Sequence, residues 1–168
     1  MDFYEELFKL KTLLRTGWLY RHVDGRVESD AEHVFSMLLV ALRIMARKDM
    51  PLDQLKVVKM IAYHELGEID VGDITPCDNV SREEKYEMEL SAIRRIAAAY
   101  DMPEILSIWL EFEEGVSPEA QFVKALDKAD AVEQARVYET HGLACGGLYD
   151  EFYTRAQAQT DYIRQLNE

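Results

Sequence analysis

Apolar residues recur along this chain at three- and four-residue intervals, the spacing that lines one face of a helix, and nowhere do they alternate with polar residues for the length of a strand. Phe3, Leu7, Leu10 and Leu14 predict a first helix, closed by Gly17. Arg15 to His22 then reads as a connector carrying Trp18, Tyr20, Arg15 and Arg21. In a structural reading of it, Trp18 plugs the core and Arg15 is a solvated end. Ser29-Asp30-Ala31-Glu32 has the spacing of a capping box and predicts a helix to about Lys48, with His33 in its first turn beside the stripe Val34, Met37, Leu38, Ala41, Ile44 and Met45. A lone histidine there reads as structural unless other ligands join it.

Pro51 is placed to open the next helix, whose inward face is expected to be Leu52, Leu55, Val58, Ile61, Ala62 and Leu66. Gly72 and Pro76 break the pattern, and Asp73 to Val80 reads as a polar, tightly turned loop. A second capping box, Ser81-Arg82-Glu83-Glu84, starts a helix to about Tyr100. Asp101 with Pro103 starts a short helix containing Trp109, and Ser117-Pro118-Glu119 starts a long one through Tyr138. Gly142, Gly146 and Gly147 mark a turn before a last amphipathic helix, Leu148 to Leu166. The expected architecture is all-α, a single domain over residues 1–168 with six or seven helices.

Composition narrows the function. A chain of 168 residues buries roughly 70% of the surface its unfolded form exposes, so it needs no disulfide scaffold. Its 19 basic and 32 acidic residues give a net charge of -13, which argues against a surface that grips duplex nucleic acid by its phosphates. Any anionic ligand must be small and locally compensated. Cys77 and Cys145 stand without a partner spacing and read as reduced thiols, which points to the cytoplasm. Met1 to Glu6 lacks a basic region followed by an apolar core, and no run of about 18 apolar residues occurs, so neither export nor a membrane is expected.

One stretch resists a purely structural reading. From Ala62 to Pro76 the chain places His64, Glu65, Glu68, Asp70 and Asp73 within otherwise mostly apolar sequence. Burying so many ionisable groups is costly unless something pairs them, and a divalent metal is the obvious candidate. On a helix His64 and Glu68 lie about 40° apart, while Glu65 is rotated by about 100° from His64, so both neighbours reach one ion only where the helix ends or bends. Gly67 makes such a distortion cheap. The bland alternative is an exposed acidic face with His64 as a satisfied core residue. A zincin-like His-Glu-x-x-His fails because its last position is Glu68, and no nucleophilic Cys or Gly-x-Ser-x-Gly signature is present.

The order of residues resembles the HD-domain metal-dependent phosphohydrolases: a histidine early in one helix (His33), a His-acid pair closing the next (His64-Glu65), and an acid in a later helix (Asp127). Arg15-Thr16-Gly17-Trp18, Glu28 to His33, Gly72-Asp73-Ile74-Thr75-Pro76, Glu83-Glu84-Lys85 and Phe122 to Asp127 are similar to the branch of bacterial 5′-deoxynucleotidases and eukaryotic HD domain-containing protein 2. The likeness runs from about Leu10 to Tyr138.

That resemblance implies a helical fold, usually dimeric, that releases phosphate from nucleoside 5′-monophosphates with a deoxyribose preference. It implies one divalent metal on His33, His64, Glu65 and Asp127, with Mn²⁺, Co²⁺ or Mg²⁺ ahead of Zn²⁺, Fe²⁺ or Ni²⁺. Glu68 and Asp73 match acids that position or deprotonate the attacking water. Arg15 and Trp18 match the region that holds phosphate and sugar or base, and Thr75 and Lys128 join them on the substrate side. Asp130, one turn after Asp127, is a rival ligand; the Val-Lys-x-Leu-Asp context favours Asp127 and makes Asp130 a supporting group. One departure stands out: the family's signature pair is His-Asp, and here it is His64-Glu65. Glutamate remains a hard oxygen ligand, but its extra methylene must be absorbed somewhere. The other readings are an HD phosphohydrolase on a triphosphate or alarmone, which would call for more phosphate-binding cations than Arg15, Arg21 and Lys128, and a non-catalytic binding module.

Overall fold

Helices account for nearly all the regular structure in the computed structural model, which describes residues 2–75 and 77–168. Helix α1 (Phe3–Thr12) leads into a short α2 (Thr16–Tyr20), then α3 (Asp30–Arg47), α4 (Gln54–Tyr63), a four-residue α5 (Glu68–Val71), α6 (Arg82–Ala99), α7 (Pro103–Glu114), α8 (Pro118–Thr140) and α9 (Leu148–Asn167). Seven of these have ten residues or more, as the periodicity predicts. Helices α2 and α5 lie where the apolar period is too short to announce a helix.

The local signals hold closely. Both capping boxes form: the Ser29 hydroxyl accepts from the Glu32 amide at 3.3 Å while the Glu32 carboxylate accepts from the Ser29 amide at 2.9 Å. Ser81 and Glu84 repeat the exchange at 3.1 and 2.9 Å. Ser117 caps α8 with Pro118 behind it. Three expectations need correction. Helix α4 begins at Gln54 under an Asp53 cap, so Pro51 does not open it; instead Leu52 folds back on the core. Leu55, expected inward, is 64% exposed, whereas Val57, Met60 and Ile61 form the buried face of α4. Met102, not Asp101, precedes α7, and Asp101 takes a left-handed turn with φ 52°. Pro76, expected to help end the helical pattern, lies outside the described residues.

Three apolar clusters hold the helices. The largest joins α3, α4, α7, α8 and α9 through Met37, Ile44, Met60, Phe112, Phe122 and Ile163. A second sets α6 and α7 under α1 through Leu10, Leu66, Ile93, Ile96 and Trp109. A third surrounds Trp18 with Val27, Ala135, Tyr138 and Leu148. Trp109 is thus an internal residue, 1% exposed. Helix α9 is kinked at Ala156 (φ -128°, ψ 25°), which periodicity does not reveal.

One tertiary pairing decides the position of the site. Leu14 and Ser29 form an isolated antiparallel bridge, flanked by Arg15 N–H to Glu28 O at 3.1 Å and Asp30 N–H to Leu13 O at 3.0 Å. This pins the α1–α2 connector beside the start of α3 and turns Arg15 inward.

Candidate metal centre

Three stretches of chain converge on one buried spot. His33 sits on the first turn of α3, His64 and Glu65 follow the last residue of α4, and Asp127 lies midway along α8. His33 is fully buried, His64 and Glu65 are buried, and Asp127 is half-buried. One ligand atom from each falls within 4.8 Å of all the others. Helix α4 ends at Tyr63, yet His64 keeps helical angles (φ -63°, ψ -31°) and its amide still bonds the Met60 carbonyl at 3.0 Å, so His64 and Glu65 meet at the site through their side chains and not through a break in the backbone. The glycine that follows serves a purpose other than flexibility. Gly67 has ordinary helical angles, but a Cβ there would stand 3.0 Å from the Glu89 Cβ and 3.3 Å from its Cα, so its absence lets this turn lie against α6.

The ring orientations leave the metal-facing nitrogens free. His64 Nδ1–H donates to the Ile61 carbonyl at 2.8 Å, and His33 Nδ1–H to Asp130 Oδ2 at 2.8 Å, while Asp130 Oδ1 accepts from the Ser36 hydroxyl at 2.6 Å. With Nδ1–H so engaged, the neutral form of each ring carries its lone pair on Nε2, the form in which it can bind an ion. Both Nε2 atoms are buried without a hydrogen-bond partner among the described residues. His33 Nε2 lies 3.3 Å from Asp127 Oδ1 and 3.8 Å from Glu65 Oε1, and His64 Nε2 lies 3.4 Å from the same Glu65 oxygen. Two orphaned imidazole nitrogens facing two carboxylates form a donor set that fits a divalent ion.

Around this set the charges are tightly balanced. Burial opposes ionisation of Glu65, but the His64 ring beside it, Arg15 and His33 outweigh it and hold the carboxyl well below the usual range. Asp127 is lowered in the same way, burial losing to His33, Lys128 and His64. Burial and Arg15 disfavour a charged His33, yet the Asp127 and Asp130 carboxylates raise it to about 9. Glu68 goes the other way: burial, then Glu65 and Asp73, push its carboxyl well above the carboxylate range.

The remaining expected residues divide. Arg15 donates from Nη1 to Glu65 Oε1 at 2.8 Å, with Asp30 Oδ1 at 3.7 Å and Glu28 Oε1 3.9 Å from its Nε. It is not a solvated end. Glu68 is buried; Oε1 meets Lys85 Nζ at 3.2 Å and Oε2 has no partner among the described residues. Asp73 accepts from the Thr16 amide, which caps α2. Trp18 is 2% exposed, stacked on Phe152 at 4.8 Å, and its Nε1–H donates to Glu28 Oε1 at 2.8 Å. It is the core plug of the structural reading and presents no open face for a base or sugar. Thr75 gives its hydroxyl to Asp78 at 2.8 Å, and Lys128 is exposed and paired with Asp127 Oδ2 at 3.0 Å.

Sequence reasoning quoted Asp30 and Lys85 within stretches similar to the family but gave neither a role. Asp30 is fully buried, neither of its carboxyl oxygens has a hydrogen bond among the described residues, and burial together with Glu65 raises its pKa. Its place in the first turn of α3, where an acid suits the helix dipole, hides it. The signal was the redundancy of a third acidic or hydroxyl group beside a complete capping box.

Comparison with known proteins agrees with this geometry. The HD domain model matches residues 7–166. A protein of Danio rerio named 5′-deoxynucleotidase HDDC2 is 37% identical over 177 aligned positions, covering 100% of this chain and 86% of that one. Its Homo sapiens counterpart is 36% identical, covering 91% and 74%. A solved protein of Magnetospirillum magnetotacticum, described as a predicted metal-dependent phosphohydrolase, superposes with a TM-score of 0.69 at 26% identity, over 98% of this chain and 87% of that one. With His33, the His64-Glu65 pair and Asp127 gathered in the order the sequence suggests, and matches that span almost the whole chain, this protein belongs to the HD-domain family and is related within it to the 5′-deoxynucleotidases.

Proposed function

We propose that the chain is a metal-dependent phosphomonoesterase that releases phosphate from nucleoside 5′-monophosphates, with deoxyribonucleotides preferred. The observation that carries this reading is the pair of Nε2 atoms set against Glu65 and Asp127 that, like a Glu68 oxygen in the same buried neighbourhood, have no hydrogen-bond partner among the described residues. The names of the curated relatives support the substrate class. His33, His64, Glu65 and Asp127 hold one ion, with Mn²⁺, Co²⁺ or Mg²⁺ suited to the mixed nitrogen and oxygen donors. A divalent ion there supplies a Lewis acid for the phosphoryl group and makes a nearby water more acidic.

The chain's own residues do the rest. Burial, then Glu65 and Asp73, keep the Glu68 carboxyl protonated while no cation offsets them; with an ion held by the four ligands it would ionise, and its Oε2 would then take the proton of the attacking water. Asp130 and the Ile61 carbonyl hold the two imidazoles in register. Arg15, buried against Glu65, Asp30 and Glu28, is the cation that offsets charge on the phosphoryl oxygens. Asp73 secures α2, and with it Arg15, by capping Thr16. Lys128 pairs with Asp127 Oδ2 beside the ligand set, whereas Thr75 gives its hydroxyl to Asp78. Trp18 acts at one remove, by fixing Glu28. No covalent intermediate is needed.

A monophosphate is favoured over a triphosphate or alarmone because the cations at hand are few and engaged: Arg15 by Glu65, Lys85 by Glu68 and Lys128 by Asp127. We further infer a single-domain homodimer that works in the cytoplasm; no helix among the described residues is long and apolar enough to cross a membrane. The test is phosphate release from matched deoxy- and ribonucleoside mono- and triphosphates with Mn²⁺, Co²⁺ and Mg²⁺. Release confined to monophosphates and faster for the deoxy series is expected; turnover of triphosphates alone would overturn the substrate assignment.

A further inference from the structure

We infer that Lys85 is a positioning residue for this hydrolysis: its ammonium fixes one oxygen of Glu68 and the Ile74 carbonyl together, which aims the other Glu68 oxygen at the reaction centre. The inference rests on the proposed phosphomonoesterase reading.

Lys85 projects from the first turn of α6, an element that supplies none of the four candidate metal ligands. Its Nζ donates to Glu68 Oε1 at 3.2 Å and to the Ile74 carbonyl at 3.0 Å, and pairs with Glu89 Oε1 at 3.3 Å. Three N–H donors meet three acceptors, which fixes the ammonium in place. Two of those acceptors belong to the active-site side of the molecule. Glu68 lies on α5, and Ile74 lies in the loop between Asp73 and Thr75.

The consequence for Glu68 is asymmetric. Oε1 is tethered, whereas Oε2 is buried and partnerless among the described residues. A carboxylate held by one oxygen cannot spin about its last bond without losing a charge-assisted hydrogen bond, so the free oxygen keeps one direction. The same ammonium ties down the loop that brings Asp73 to the Thr16 amide. Glu89 completes the arrangement from the next turn of α6, in the place where Gly67 allows the His64–Gly67 turn to approach. Lys85 is half-buried and touches none of His33, His64, Glu65 or Asp127 by hydrogen bond or ion pair among the described contacts. Its removal should therefore impair the chemical step and spare metal binding.

The experiment compares wild type, Lys85→Met, Lys85→Arg and Glu89→Gln in the full chain. It measures kcat and KM for a deoxynucleoside 5′-monophosphate, Co²⁺ affinity by calorimetry, and helicity by circular dichroism. A misaimed base costs on the order of 10²-fold in rate, so Lys85→Met is expected to lose about that in kcat, with KM and Co²⁺ affinity within about twofold of wild type. Lys85→Arg, which can still reach two acceptors, should recover about tenfold of that loss. Glu89→Gln, which leaves the tether but loosens it, should lose several-fold in kcat alone, and it keeps the test decisive if Lys85→Met does not fold.

A folded Lys85→Met or Glu89→Gln with wild-type kcat overturns the assignment while leaving the phosphomonoesterase reading intact. Equal falls in kcat and Co²⁺ affinity also overturn it, since they mark a general structural role. A wild-type protein inactive on every monophosphate overturns both.

Discussion

Glu65 stands where relatives of this type are expected to carry an aspartate, and the structure shows where its extra methylene goes. The side chain reaches past His64 to Arg15, making a 2.8 Å charge-assisted bond while remaining 3.4 Å from His64 Nε2. An aspartate on the same backbone is one methylene shorter, so its carboxylate stands farther from Arg15. Glu65→Asp is therefore expected to release Arg15 and to raise KM for the phosphate ester several-fold; an unchanged KM would show that the 2.8 Å bond does not position Arg15. Glu68 has no such second duty. Glu68→Gln removes the proton acceptor but keeps the Lys85 contact, and should lower kcat by about 10²-fold or more with Co²⁺ affinity retained in calorimetry. These side chains were legible in sequence because acids and histidines are scarce in buried segments. Arg15 was only half legible, since its direction depends on the Leu14–Ser29 bridge, a pairing no local rule gives. Asp30 was hidden by a plausible role at a helix start.

Among the elements, the best-read boundaries are those written in adjacent residues. Ser29 with Glu32 and Ser81 with Glu84 set the starts of α3 and α6 through hydrogen bonds that span three positions. Ser29→Ala should cost about 1 kcal/mol in urea denaturation. The ends that mislead are set by tertiary contacts: Leu52 is drawn onto the core, α4 starts only after its Asp53 cap, and Leu55 points outward. Gly67 teaches the same lesson. Sequence suggests a flexible hinge, whereas its backbone is ordinary and its value is the missing Cβ against Glu89. Gly67→Ala should destabilise the fold by about 1–3 kcal/mol, because α6 or the His64–Glu68 turn must shift to admit the methyl group. Denaturation midpoints within experimental error of wild type would show that this turn has room to spare.

At the scale of the whole molecule, distant helices are tied by a buried carboxylate that takes no part in the site. Glu6 of α1 is fully buried and receives Arg95 of α6 at 2.7 Å, while Arg95 also grips Asp70 of α5 at 2.6 Å. The Arg95 hydrogen bonds hold Glu6 below its ordinary value of 4.5. A carboxyl depressed on folding contributes stability above its unfolded pKa and loses it as pH falls through the folded one. Wild type should therefore lose stability as pH drops below about 4.5, with a shallower loss in Glu6→Gln, whose neutral-pH stability should be lower by about 1–3 kcal/mol. Parallel pH curves for the two proteins would contradict this. The all-α class and most helices could be read from periodicity alone; the joining of α1, α5 and α6 through one arginine could not, since residues 6, 70 and 95 share no local pattern.

The central claim joins these scales: a buried two-histidine, two-carboxylate centre makes the chain a metal-dependent phosphomonoesterase. Its most direct test is phosphate release from a deoxynucleoside 5′-monophosphate by metal-stripped protein, before and after stepwise addition of Co²⁺ or Mn²⁺. The account predicts no release from the stripped chain, restoration that saturates near one ion per chain, and none in His64→Ala. Release that persists undiminished in excess chelator, or no release with any of the metals, would contradict it.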